Sequence, residues 1–349
     1  MTVRDRTATG EGAGRPRPDL ARAAHLSVAP MLDWTDRHCR HLHRLMSREA
    51  LLYTEMVVAA ALVRGGATHL LRFDPAEHPV AVQLGGSDPA ELAEAARIAE
   101  AAGYDEINLN LGCPSDRVQS GCFGAVLMKD PALAAACATA MRRAVGVEVT
   151  VKCRIGVDDQ DPAQVLPDFL SRMRDAGIGR VIIHARKAWL QGLSPKENRE
   201  IPPLDYPLVL AMKRAFPDLH LSVNGGIETL EQARGFLDAG LDGVMIGRAA
   251  YHAPADILSE ADALIWGGAP GPAAEDVARA MIPYVDAHVA EGGRAHGVTR
   301  HMLGLFAGRP WARLWRRHLT EAATRPGAGG EVIAEALARM AGPAREAAE

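Results

Sequence analysis

Apolar positions in this chain gather into eight short runs, and nearly every run ends on a polar, glycine or cysteine residue. In order they finish at Met31, Glu55, Gln83, Asn110-Leu111-Gly112-Cys113, Lys152-Cys153-Arg154, His184-Ala185-Arg186, Asn224-Gly225-Gly226 and Gly247-Arg248. A strand covered on both faces reads as continuous Val, Ile and Leu. Polar groups repeated at the same end of successive strands therefore point to one shared rim. The pattern predicts strands over 25–31, 51–54, 80–84, 106–110, 149–154, 180–184, 219–224 and 243–246.

Between most of these runs lie Ala/Glu/Arg/Leu-rich stretches with helical spacing, which predict helices over 89–102, 132–144 and 229–239. Ser87-Asp88-Pro89 and Lys129-Asp130-Pro131 each set a capping side chain before a first-turn proline. Gly103 and Gly240 stand where a left-handed residue ends a helix. The stretch between the second and third strands is less regular. Side chains alternate between the faces of a strand, so Asn108 and Asn110 oppose Ile107 and Leu109, while Gln83 points with Ala81. By the same parity Lys152 and Arg154 share a face, as do Ile182, His184 and Arg186. The fold class expected is α/β, a (β/α)8 TIM barrel over 25–266. A disordered tail over 1–24 precedes it, and a small all-helical domain over 272–344 follows the linker Gly267-Gly268-Ala269-Pro270-Gly271-Pro272.

Composition narrows the function classes. No apolar run approaches the ~18 residues needed to span a bilayer, so no membrane association is expected. The formal net charge of −4 means that nucleic-acid binding must rest on local basic patches. One such patch carries Arg294, Arg300, Arg309, Arg313, Arg316 and Arg317 against the single acid Glu291. It reads equally as a surface for a phosphate backbone and as a solvated helix face. Beside it, Trp311, Leu314 and Trp315 read as an apolar core stripe at helical spacing rather than a base-stacking platform. Five cysteines without a C-x-x-C pair favour a reducing cytoplasm. His38, Cys39, His41 and His43 lack a completing carboxylate, so they read as a basic, solvated helix face rather than a metal site. No metal and no obligate protein partner is expected.

The strand ends carry the candidate chemistry. Asn224-Gly225-Gly226 and Gly247-Arg248 close the seventh and eighth strands, where barrels commonly hold a phosphate on backbone N–H groups. Two tight turns are the plainer reading. Lys152 and His184 come from adjacent strands; a cation there could hold an electron-rich ring, stabilise developing negative charge, form a Schiff base, or serve a structural salt bridge. Cys113 opens a long glycine-bearing loop, of the kind that often works as a lid. It is either a proton donor or a small turn residue; a free thiol is mostly protonated near neutral pH.

Several stretches together resemble the tRNA-dihydrouridine synthases, most closely the bacterial A subfamily. They are Ser27-Val28-Ala29-Pro30-Met31-Leu32-Asp33-Trp34-Thr35-Asp36-Arg37, Asn108 to Ser115, Val151-Lys152-Cys153-Arg154, His184-Ala185-Arg186-Lys187-Ala188-Trp189 with Gly192 to Arg199, and Asn224-Gly225-Gly226. The resemblance implies an FMN enzyme that uses NADPH to reduce D-loop uridines of tRNA, at positions twenty and twenty-a, to 5,6-dihydrouridine. It implies that Pro30, Met31, Leu32, Gln83, Lys152, His184, Asn224, Gly225, Gly226, Gly247 and Arg248 bind FMN, and that Cys113 is the general acid. Asn110, Arg186, Lys187, Asn198, Arg309 and Arg313 are the expected tRNA contacts. Trp311 departs from the pattern, standing where a small residue is expected. Two rival readings are a flavin barrel acting on a free pyrimidine, like a dihydroorotate dehydrogenase, and an RNA-binding or chaperone protein with a structural flavin. A lysine-based aldolase is a remote third.

Overall fold

A computed structural model describes residues 18–115 and 122–346. Eight parallel strands close into a barrel in sequence order, β1 pairing with both β2 and β8. They are β1 (Leu26–Val28), β2 (Leu51–Val58), β3 (Val80–Gly85), β4 (Glu106–Leu111), β5 (Glu148–Arg154), β6 (Arg180–His184), β7 (His220–Asn224) and β8 (Gly243–Ile246). The predicted strands fall on these, with two adjustments. β1 is shorter than its apolar run, and β2 continues four residues past Thr54 through a register irregularity between Tyr53 and Met56. That irregularity is what carries Glu55 to the rim.

Capping chemistry starts the outer helices. Asp88, Asp130 and Asp161 each precede a first-turn proline and accept from Glu91 N, Leu133 N and Ala163 N. Their helices run Pro89–Ala101, Pro131–Ala144 and Pro162–Asp175. Proline's missing N–H costs nothing at that position and its φ is already helical. Gly103 and Gly240 adopt φ +99°, as helix-ending glycines. The irregular stretch after β2 holds only a short helix, Ala59–Val63, and two 3-10 turns.

Two apolar regions result. The larger lies between strands and helices; a smaller one fills the barrel itself with Ala29, Leu51, Tyr53, Ala81, Ile182 and Met245. Ala23 and Ala24 close this inner region from below. They belong to a helical turn, Leu20–Ala23, capped by Asp19. The tail expected to be disordered through residue 24 is therefore structured from there on; its first part lies outside the described residues.

Past the linker, helices Ala274–Ala290, Ala312–Ala322 and Glu331–Glu346 pack together and against helix Arg37–Met46. The histidine-rich face of Arg37–Met46 is not solvated, contrary to expectation. His38, Arg40, His43 and Arg44 are buried beneath the helical unit and the turn at Glu77. Arg40 Nε donates to Glu77 at 2.6 Å, Tyr284 OH lies 2.9 Å from His38 Nδ1, and the Tyr284 ring stacks on His41. Burial pushes His38 and His43 down to about 3, so both imidazoles are neutral at physiological pH. Asp36 joins the lobes: it caps the helix through His38 N and Cys39 N and accepts from Arg300 Nη2 at 2.6 Å and His301 Nε2 at 3.0 Å. Burial opposes its charge, but His301 and the Cys39 N–H hold its carboxyl well below the usual range.

Candidate active site

A ladder of side-chain hydrogen bonds climbs the inside of the barrel and ends at Cys113. At the base, Glu106 accepts from Tyr53 OH at 2.6 Å, from Arg180 Nη2 at 2.7 Å and from Thr150 Oγ1. Asn108 Nδ2 donates to Thr150 Oγ1 at 2.8 Å, and Gln83 Nε2 donates to Asn108 Oδ1 at 2.8 Å. Asn110 Nδ2 donates to Gln83 Oε1 at 2.7 Å, while Asn110 Oδ1 accepts from Gly112 N at 3.1 Å and Cys113 N at 3.0 Å. Every rung is inward-facing, as strand parity requires. Asn110, expected as a tRNA contact, thus spends both ends of its amide inside the protein and fixes the backbone that carries Cys113. Gln83, expected to bind FMN, is a buried rung of the same ladder.

Cys113 itself is partly exposed, its Sγ 3.4 Å from Ser115 Oγ. The loop after it was expected to be a lid, yet its second half is a buried 3-10 segment, Gly124–Lys129, with Ala125 N donating to Cys113 O at 2.9 Å. Gly121 lies outside the described residues.

Lys152 sits beside Asn110 across the β4–β5 pairing, and Arg154 beside His184 across β5–β6. No hydrogen bond or ion pair engages the Lys152 ammonium among the described residues. Burial, reinforced by Arg154, lowers it to about 8, while the Cys113 sulfur is close enough to act on it in the opposite sense. His184 is buried with Nδ1 unpartnered. Burial and then Arg154 and Lys152 hold it far below the ordinary histidine value, so its imidazole is neutral.

The sequence assigns Arg154 no role, yet the structure gives it one. Its Nε donates to Gly112 O at 3.1 Å, and its Nη1 donates to Lys187 O at 3.0 Å and Asn198 O at 2.8 Å. One guanidinium thereby ties the Cys113 loop to the loop after β6. Its parity with Lys152 was the signal in the sequence. Arg199 was likewise overlooked; it acts electrostatically on Lys152, His184 and Cys113.

Asn198, an expected tRNA contact, is 0% exposed: Oδ1 accepts from Trp189 N, and Nδ2 donates to Trp189 O at 2.8 Å and Leu193 O at 3.1 Å. It pins the loop rather than offering itself to a ligand. Arg186 donates to Pro202 O, and Lys187 Nζ lies 5.2 Å from the centre of the Trp189 ring.

Gly225 and Gly226 take φ +108° and +68°, and their bare Cα atoms matter. A Cβ on Gly225 would lie 2.9 Å from His184 Nε2, and one on Gly226 would lie 2.6 Å from Leu204. Asn224 Nδ2 donates to Met245 O at 2.8 Å, joining β7 to β8. Gly247 faces Ala29 and Met31, the residues on either side of Pro30, whereas Leu32 is 67% exposed. Arg248 reaches sideways across the rim to Glu200 at 2.5 Å. Arg309 and Arg313 are exposed on the helical unit, away from this constellation in the chain; Arg309 pairs with Glu275 at 3.5 Å.

The described residues contain no cluster of three or more potential metal ligands and no helix long and apolar enough to cross a membrane. The arrangement offers a thiol, a free ammonium and a neutral imidazole around a glycine-lined rim.

The chain is similar in fold to an old yellow enzyme homologue from Zymomonas mobilis, at TM-score 0.50 and 14% identity over 66% of this chain and 86% of that one. It is 53% identical to the tRNA-dihydrouridine(20/20a) synthase of Vibrio parahaemolyticus, covering 92% of this chain and 98% of the relative. With the protein of the same name from Escherichia coli K12 it shares 54% identity over 93% and 94% of the two chains. The family model described as dihydrouridine synthase matches residues 27–341, from the first strand to the last helix, and the chain belongs to that family.

Proposed function

We propose that this protein reduces uridine in tRNA to 5,6-dihydrouridine, at positions 20 and 20a as the names of its relatives state, with FMN as resident flavin and NADPH as reductant. The observation that carries the reading is Cys113, held by Asn110 and Arg154 at the rim that also bears Lys152, His184 and the paired glycines.

The residues fit a flavin mononucleotide. Lys152 has an uncommitted positive charge, His184 has an unpartnered buried nitrogen, and Gly225 and Gly226 bring their backbone against His184 and Leu204 more closely than any Cβ would allow. Backbone N–H groups of these glycines would hold the phosphate, and Lys152 would face the electron-rich edge of the ring system. A bound flavin supplies the hydride that adds to C6 of the uracil ring. Cys113 holds the proton that C5 needs as negative charge builds there through conjugation with the C4 carbonyl. The uracil must leave its loop to reach the rim, so the substrate nucleotide is extruded. The helical unit's exposed arginines, Arg309 and Arg313 among them, would grip the tRNA backbone, and Arg186 and Lys187, on the loop after β6, would meet its phosphates. The five free cysteines suit a reducing cytoplasm.

The experiment is dihydrouridine mapping in tRNA from cells lacking this protein, with and without complementation. Loss at positions 20 and 20a, restored by the gene, is expected; an unchanged map sinks the proposal.

Lys152 also predicts a pH dependence. Only the ammonium form favours an anionic flavin, and that form gives way as pH rises through about 8. The phosphate's second ionisation, near pH 6, is complete by then. FMN affinity of the apoprotein should therefore fall about tenfold between pH 7 and 9, followed by quenching of flavin fluorescence, and Lys152→Met should flatten the profile. Equal affinity at both pH values in the unmodified protein would remove Lys152 from the flavin site.

A further inference from the structure

Two tryptophans near helix Ala312–Ala322 have opposite fates. Trp315 is wholly buried, its ring edge-on to Phe306 with centroids 4.8 Å apart and its Nε1 donating to Met302 O at 2.8 Å. Trp311 stands one residue before the helix and is 40% exposed. The apolar stripe expected of Trp311, Leu314 and Trp315 is therefore not one core face.

Trp311 is also held in left-handed backbone, at φ 66° and ψ 4°. Glycine or asparagine takes that conformation at far less cost than an aromatic residue, which is the physical reason a small residue is expected there. The Trp311 side chain caps no helix N–H, and among the described residues it pairs with no other aromatic ring. A bulky residue kept in a strained conformation, with two-fifths of its surface open to solvent, is an observation that points outward.

The surroundings say what kind of partner. Arg309, Arg313, Arg316 and Arg317 are all exposed and lie within six residues of it in the chain. Arg313, Arg316 and Arg317 share one helix face by their i, i+3, i+4 spacing. Arg309 is engaged by Glu275 and Arg317 by Glu321, whereas Arg313 and Arg316 enter no ion pair among the described residues. A flat ring beside spare guanidinium groups matches an unpaired nucleotide: the base stacks on the ring, and flanking phosphates meet the cations. A second copy of this chain, with net charge −4 spread over its surface, offers no comparable density of negative charge.

We propose that Trp311 is a stacking platform for an unpaired nucleotide of the tRNA, flanked by Arg309, Arg313 and Arg316. This rests on the function proposed above and adds to it an anchoring point on the helical unit, separate from the rim that takes the target uracil.

The test uses the full-length, flavin-loaded protein and its Trp311→Ala, Trp311→Phe and Trp311→Gly variants. Four quantities are read: tRNA Kd, KM and kcat for dihydrouridine formation, flavin reduction by NADPH without tRNA, and the melting midpoint. Alanine and glycine should raise Kd and KM for tRNA about fivefold or more, with kcat within about twofold and flavin reduction unchanged. Phenylalanine should keep most of the affinity, and glycine should melt no lower than the wild type because it suits the backbone. The wild-type minus Trp311→Phe fluorescence should be quenched by added tRNA. A Trp311→Ala Kd within twofold of wild type overturns the proposal, as does a variant that loses self-association instead of tRNA affinity. If the wild type makes no dihydrouridine yet Trp311→Ala weakens tRNA binding, the platform stands and the reductase reading falls. If wild type and variants form dihydrouridine alike, with equal KM, the reverse holds.

Discussion

In Cys113→Ala, NADPH should still reduce the bound flavin at close to the wild-type rate, while dihydrouridine formation on tRNA drops by about 10²–10⁴-fold. The separation follows from position. Cys113 sits on a loop fixed by the Asn110 amide and the Arg154 guanidinium, so its removal takes away a proton source and leaves the glycine-lined rim intact. Cys113→Ser should fall nearly as far, because a hydroxyl is a much weaker acid than a thiol. A rival donor is the Lys152 ammonium, poised at about 8 on the neighbouring strand. Any residual activity of Cys113→Ala should therefore fade as pH rises through that value. Single-turnover assays that follow flavin and product separately provide the measurement, and product formation within about tenfold of wild type removes Cys113 from the proton transfer.

The second large effect is on stability. Arg180 is buried at the base of the barrel, where its Nη2 donates to Glu106 at 2.7 Å and to Glu148 at 2.7 Å. Glu106 is also buried and has nowhere to turn for solvent. Arg180→Leu strands that carboxylate, and stranding a buried charge costs about 3–5 kcal/mol, a fall in melting midpoint on the order of 10 °C. Burial raises the Glu106 carboxyl above its ordinary value even with Arg180 beside it to oppose the shift, and without the guanidinium it should rise further. A raised folded-state value gives stability that is present at low pH and lost as pH rises, so the deficit of Arg180→Leu should shrink on acidification. Adding Glu106→Gln should recover much of the loss, since the amide oxygen still accepts from Tyr53 and Thr150. Denaturant titrations of both single variants and the double variant form the cycle; additive losses would show that the pair is not coupled.

Strand ends were legible because a strand buried on both faces has no use for Gln, Asn, Lys or His except where it meets solvent. Asp-Pro pairs gave helix starts at Pro89 and Pro131 for an equally local reason. What escaped the sequence was non-local. Parity put Arg154 on the inner face, but only the folded chain shows its guanidinium reaching the carbonyls of Gly112, Lys187 and Asn198, which lie as far as 44 residues away. Asn110 and Asn198 were correctly singled out as unusual, yet a side chain that stabilises a loop and one that greets a ligand look alike in one dimension. The histidines of Arg37–Met46 misled for the same reason: their partners, Tyr284 among them, arrive from some 250 residues downstream.

Asp36 has a final bearing on substrate capture. One carboxylate seats the first residues of a barrel helix and clasps Arg300 and His301 of the helical unit, so the two lobes meet at a set angle. A folded RNA that spans both lobes would meet a surface whose geometry is already set. Little of the attraction between them is consumed in bringing the lobes to order, and more is left to draw a nucleotide out of its stack.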